Sequence, residues 1–148
     1  MRKKNALRGH FIAPYTTLAA KPETADYKEL AKWISNISKS PNDQTDDTGF
    51  YDGDGTNTTT VTGVAPSYEV TGNYDPEDEA QAMIADMEFE DGESRLVWHR
   101  IVSADLTKEW VGVATVSEII AGSGDATAYE DFSCTISYNQ KPERTDLP

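Results

Sequence analysis

Between Phe132 and Tyr138 the chain alternates large apolar side chains with small hydroxyl ones: Phe132, Cys134, Ile136 and Tyr138 against Ser133, Thr135 and Ser137. A β-strand sends successive side chains to opposite faces, so one face of this run must be buried and the other need not be. Two further β-rich runs lead into it. Residues 94–103 follow the turn signal Asp91-Gly92, and residues 109–120 begin with Trp110-Val111-Gly112-Val113. Gly122-Ser123-Gly124-Asp125 supplies the turn into the last strand, over 129–138. Consecutive strands joined by tight turns build an antiparallel sheet, and 148 residues suffice for one core.

Upstream, residues 59–64 and 67–71 read as strands separated around Pro66, with Tyr68 and Val70 alternating with Glu69 and Thr71. A helix is expected over 76–87. Asp75 is placed to cap it, Pro76 suits its first position, and Glu77, Asp78 and Glu79 favour the positive end of its dipole. Ala80, Met83, Ile84 and Met87 then form one apolar stripe. Residues 26–39 fit two descriptions. Leu30, Trp33, Ile34 and Ile37 make a helical stripe, while residues 33–38 also read as a strand. Residues 40–60 are Pro, Asn, Asp, Gly and Thr, hence a long loop (40–58) or an open hairpin tip. Residues 1–25 lack periodicity and are expected to be a flexible arm, and 143–148 a C-terminal tail. The fold class is mainly β (α+β): an antiparallel β-sandwich or small barrel with one flanking α-helix, its domain spanning 26–142.

Charge is unevenly distributed. The net charge is −13, and between Lys39 and Arg95 there is no basic residue among 15 acidic ones, whereas Arg2, Lys3, Lys4 and Arg8 crowd the N-terminus. Such a surface repels phosphates and disfavours sequence-specific nucleic-acid binding. No stretch approaches the roughly 18 apolar residues of a membrane span, so a cytoplasmic origin with no membrane partner is expected.

Candidates for catalysis are few. Cys134 is the single cysteine and sits on the apolar face of the last strand, the position of a buried structural thiol. His10 lies in the arm, and His99, between Trp98 and Arg100, is expected to be a half-exposed strand residue. Asp52, Asp54 and Thr56 resemble the start of a calcium loop, but the glycine falls one place early and position twelve is Gly63, so a turn is the better reading. Glu88, Glu90, Asp91 and Glu93 read as a solvated turn. Trp98, Trp110 and Tyr138 fit a core better than a ligand cleft. No catalytic, cofactor or metal site is expected.

The order of elements resembles the major tail tube proteins of long-tailed bacteriophages. The resemblance runs over residues 26–142. It takes in Asp26-Tyr27-Lys28-Glu29-Leu30-Ala31-Lys32, the loop Phe50-Tyr51-Asp52-Gly53-Asp54-Gly55-Thr56, and the helix with Glu79-Ala80-Gln81-Ala82. Arg95-Leu96-Val97-Trp98-His99-Arg100, Trp110-Val111-Gly112-Val113-Ala114 and the closing Asn139-Gln140-Lys141-Pro142 complete it. The resemblance implies a non-enzymatic virion protein. Its partners would be itself, as hexameric rings stacked into a tube, together with a tape-measure protein, a tail terminator and baseplate or tail-tip proteins. Phage DNA would pass through the lumen without sequence-specific binding. Tail terminators, baseplate hubs and monomeric ligand-binding sandwiches share such an architecture and are the alternatives.

In a stacked ring, the arm and the loop 40–58 have too little apolar content to order alone. Arg2, Lys3, Lys4 and Arg8 are therefore expected to meet Asp46, Asp47, Asp52 and Asp54 of a neighbour across an inter-ring contact.

Overall fold

A computed structural model describes residues 2–17, 22–23, 26–49, 51, 53–139 and 141–147. Among the described residues there are ten strands and one α-helix: β1 (Gly9–Pro14), β2 (Lys28–Glu29), β3 (Ile34–Ser40), β4 (Gln44–Thr48), β5 (Thr58–Gly63), β6 (Ser67–Asn73), α1 (Glu79–Ala85), β7 (Leu96–Val102), β8 (Lys108–Ala121), β9 (Asp131–Tyr138) and β10 (Glu143–Asp146). Eight strands form one antiparallel sheet in the order β2-β1-β7-β8-β9-β6-β3. The eighth, β10, pairs with Lys108–Val111 of β8, end to end with β9 along the edge of β8 that β7 does not occupy.

The sheet is curled into a half-barrel. The His10 ring of β1 lies 5.4 Å from the Tyr68 ring of β6, although three strands stand between them in the sheet. On a flat sheet those strands would be about 19 Å apart. Part of the bend comes from β8, where Glu118 adopts φ 52 at a register shift between Ser117 and Ile120. A bulge of this kind kinks the longest strand and increases its twist.

The concave face holds the main core. Ile12, Val70, Val97, Val116, Phe132, Cys134 and Ile136 are buried there, and the alternation of the last strand is realised along β9. Ala80 and Ile84 of α1 fill the curl, with Met83 and Met87 packed beside them, as the apolar stripe requires. The convex face carries a smaller cluster of Ala13, Trp98 and Val111 under Tyr15, Tyr27 and Val113. Strand β7 is thereby buried on both faces.

Three expectations are corrected. Residues 1–25 are not all an arm: β1 is an interior strand between β2 and β7, with Ile12 and Ala13 fully buried. Its short run of mixed small and apolar residues hides the period. The tail 143–148 contributes β10. The helix begins one turn later than expected, because Asp78, not Asp75, caps it by accepting from the Gln81 backbone N–H at 3.2 Å. The Asp75 carboxylate is committed elsewhere, to the Glu77 N–H at 3.0 Å, the Trp33 indole at 3.1 Å and the Lys32 ammonium at 3.2 Å. Of the two descriptions of residues 33–38, the strand is correct. Trp33 is excluded from both, at φ 64 and well exposed.

Candidate functional site

Two features stand out from the sheet: an isolated ribbon and an open seam. The chain leaves the sheet along β3, continues into β4, and returns through β5 and β6. Strands β4 and β5 pair only with each other, from Gln44↔Gly63 to Thr48↔Thr58, and every residue in them is exposed or half-buried. Strands β4 and β5 thus form an open hairpin that takes in most of the expected loop. Asn42 (φ 51) pins the junction, its side-chain amide donating to the Ala65 carbonyl at 3.3 Å and to the Ser67 hydroxyl at 3.0 Å.

Of the site residues expected from the sequence, Asp46, Asp47 and Asp54 fall on the ribbon and Arg8 lines the seam. Asp46 and Asp47 are exposed on β4, and Asp46 accepts from the Thr48 hydroxyl at 3.0 Å. Asp54 lies in the connecting turn, where its carboxylate takes the Thr56 N–H at 2.9 Å; those bonds hold it below the usual carboxylate range. This is the geometry of a turn. Asp52, and with it one member of the expected calcium motif, lies outside the described residues. Arg2, Lys3 and Lys4 are exposed ahead of a single 3-10 turn at Asn5–Leu7, and Arg8 follows it. Among the described residues no ion pair joins these basic residues to the acids of the ribbon within the chain.

The seam lies between β2 and β3, the two free edges of the curl. It encloses a cavity of about 400 Å³ lined by Asn5, Ala6, Arg8, His10, Glu29, Leu30, Ala31, Ile34, Ser35, Asn36, Ile37, Lys39 and Tyr68. His10 connects it to a buried aromatic cluster with Tyr68, His99 and Tyr138. His99 is fully buried, against the expectation of a half-exposed residue, because β7 is covered on its concave face too. The Tyr138 hydroxyl and His99 Nδ1 lie 2.7 Å apart. Gly112 permits this, since a side chain there would meet the Tyr138 ring at 3.0 Å and the Pro142 backbone at 3.3 Å.

Burial, with the Arg8 charge nearby, pushes the His10 pKa down to about 4. Burial, with His10 second, pushes His99 down to about 3. Burial raises Tyr138 and moves the Cys134 thiol up to about 12, so Cys134 is an inert core residue. No group of three or more potential metal ligands occurs among the described residues. Trp98 and Tyr138 are buried and Trp110 packs against the core, which leaves no aromatic cleft among these three. The acidic run 88–93 is a turn held by Arg95, whose guanidinium donates to the carbonyls of Glu90, Glu88 and Val116 at 2.9, 2.7 and 3.3 Å. Among the described residues no helix is long and apolar enough to cross a membrane.

Neither a protein-family model nor a curated protein matches the chain. Solved structures do. A chain from the tail of an empty gene transfer agent (GTA) particle, obtained by helical refinement with C6 symmetry, superposes with a TM-score of 0.72 at 11% identity. That match covers 97% of this chain and 99% of the other. A chain from the virion of a native gene transfer agent particle gives a TM-score of 0.67 at 11% identity, covering 92% and 95%. The fold is therefore that of phage-like tail structures, matched from end to end. At this identity the likeness is one of fold, in keeping with the resemblance read from the order of elements.

Proposed function

We propose that this chain is a tail tube subunit of a phage-like particle, a structural protein that assembles as hexameric rings stacked into a hollow tube. The observation that carries the reading is the acidic ribbon β4–β5. A two-stranded ribbon alone in water is only marginally stable, so one whose strands, among the described residues, pair with nothing but each other is suited to pack on another chain. The fold it projects from is shared end to end with a subunit of a sixfold tail. In the ring, lateral neighbours cover the free edges β2 and β3, which would otherwise be open to uncontrolled pairing. Between rings, Asp46, Asp47, Asp52 and Asp54 of the ribbon meet Arg2, Lys3, Lys4 and Arg8 of the next subunit. A tape-measure protein occupies the lumen before DNA does, a terminator and tail-tip proteins close the ends, and the acidic chain lets DNA pass without sequence-specific binding. The protein is made in the host cytoplasm and resides in the virion tail.

Negative-stain electron microscopy of concentrated protein, with light scattering of a dilute sample, tests this. Hollow tubes or sixfold rings are expected at high concentration. Rings that never stack would indicate a terminator, and a strict monomer at every concentration would overturn the tube reading.

A further inference from the structure

The seam cavity lies between the two free edges, and the charge of its lining is opposite to that of the molecule. Arg8 and Lys39 line it, and Glu29 is the one acid that does, so the lining carries +1 (two cations less one anion) in a chain of net charge −13. Neither Arg8 nor Lys39 takes part in any ion pair among the described residues. At the inner end, His10 is 8% exposed and its Nδ1 is buried without a hydrogen-bond partner. Buried polar atoms are nearly always paired, so an unpaired one beside two free cations marks a place for an acceptor. A neutral imidazole with its proton on Nδ1 donates one hydrogen bond, and Arg8 and Lys39 supply charge-assisted ones.

We propose that this cavity is a carboxylate socket and that its occupant is an aspartate of the β4–β5 ribbon of a second copy of this chain. The inference rests on the stacking role proposed above and names the receiving site. The ribbon carries exposed Asp46, Asp47 and Asp54, and among the described residues its strands pair only with each other. Among the described residues it makes no ion pair with Arg8 or Lys39 of its own chain. Lys39 lies on β3 at the seam, while Asp46 and Asp47 lie on β4, beyond Asn42, whose φ of 51 separates the ribbon from the sheet.

A carbodiimide, which joins an ammonium to a carboxylate only where the two already touch, tests the contact in the full chain. An equal mixture of ¹⁵N-labelled and unlabelled protein is treated at associating concentration and mapped by peptide mass spectrometry. The Lys28–Glu79 pair, 2.9 Å apart within one chain, reports that the reagent has worked. The expected product joins Lys39 to Asp46, Asp47 or Asp54 of a differently labelled chain. A Lys28–Glu79 link with Lys39 unlinked, or Lys39 linked only to acids of its own chain, overturns the socket. A second arm replaces Arg8→Gln and Lys39→Gln together, which should leave the circular-dichroism melt unchanged and raise the concentration for half-maximal association about tenfold. Unchanged association overturns it as well. Tubes that form without the mixed link refute the socket alone; mixed links in particles that are not tubes refute the tube and keep the socket.

Discussion

Acidification should unfold this protein through two histidines before its carboxylates matter. His10 and His99 are buried side by side, their ring centroids 5.6 Å apart, and both are neutral when folded, burial pushing their pKa values down to about 4 and about 3 from the ordinary 6.5 of a solvated imidazole. The unfolded chain therefore binds more protons than the folded one below about pH 6.5, and stability falls as pH falls. At about pH 5 each unfolded imidazole is roughly 1.5 pH units below its pKa while each folded one remains neutral. At about 1.4 kcal/mol per unit this costs about 2 kcal/mol per histidine, about 4 kcal/mol together. The loss is complete only below the folded values. The carboxylates do not blur the window: Asp105 is held down to about 2 by the Ser103 and Thr107 hydroxyls, and Asp75 is lowered by the Glu77 N–H and the Lys32–Trp33 contacts. Urea unfolding followed by tryptophan fluorescence at pH 7.5 and pH 5 measures the difference directly. His10→Gln should remove about half of the pH dependence, and the double variant with His99→Gln nearly all of it, although the two sites touch and are not strictly additive. Equal wild-type stability at the two pH values would refute the argument.

Other outcomes follow from single contacts. Gly112→Ala crowds the Tyr138 ring at 3.0 Å and the Pro142 backbone at 3.3 Å, which must give by a few tenths of an ångström beside the 2.7 Å contact with His99, and should destabilise by about 1–3 kcal/mol in urea melts. Gln81→Met removes the fully buried amide that bridges the Lys32 and Asn73 carbonyls and the Asp75 N–H; a loss of about 3 kcal/mol is expected in the same assay. Replacing residues 42–65 by a short glycine turn should leave a folded protein, by circular dichroism, that forms no stacked tubes at any concentration in sedimentation and negative stain. Deleting residues 1–25 removes β1 and should yield no cooperative melt, whereas deleting only residues 2–4 should leave the melt intact.

The strands that carry the curl were legible because their periods are strong. Phe132 to Tyr138 alternates without exception, and the Ala80–Ile84 stripe finds the helix even though its cap is displaced by a turn. Strand β1 was not legible. His10, Ile12 and Ala13 make too short a run, and the burial of Ala13 on the convex face spoils the alternation that a one-sided strand would show. His99 was misread for the same reason, since a strand covered on both faces loses its period. The ribbon was half legible: composition gave an exposed hairpin tip, but pairing between Gln44–Thr48 and Thr58–Gly63 needs partners up to nineteen residues apart, which no local pattern reports. The seam depends on the closing of the curl and was invisible. Arg8 was found by charge, whereas Lys39 and His10 join it only in three dimensions.

The ribbon and the seam belong to different parts of one chain, so a contact between them joins unlike surfaces. Any stack built that way has a direction. At one end the last ring displays uncovered acidic ribbons; at the other the first ring displays unfilled basic cavities. The two ends then require chemically different closures, a basic cap for one and an acidic plug for the other. A seed that presents only one of them sets which way the particle grows, with no motor and no nucleotide.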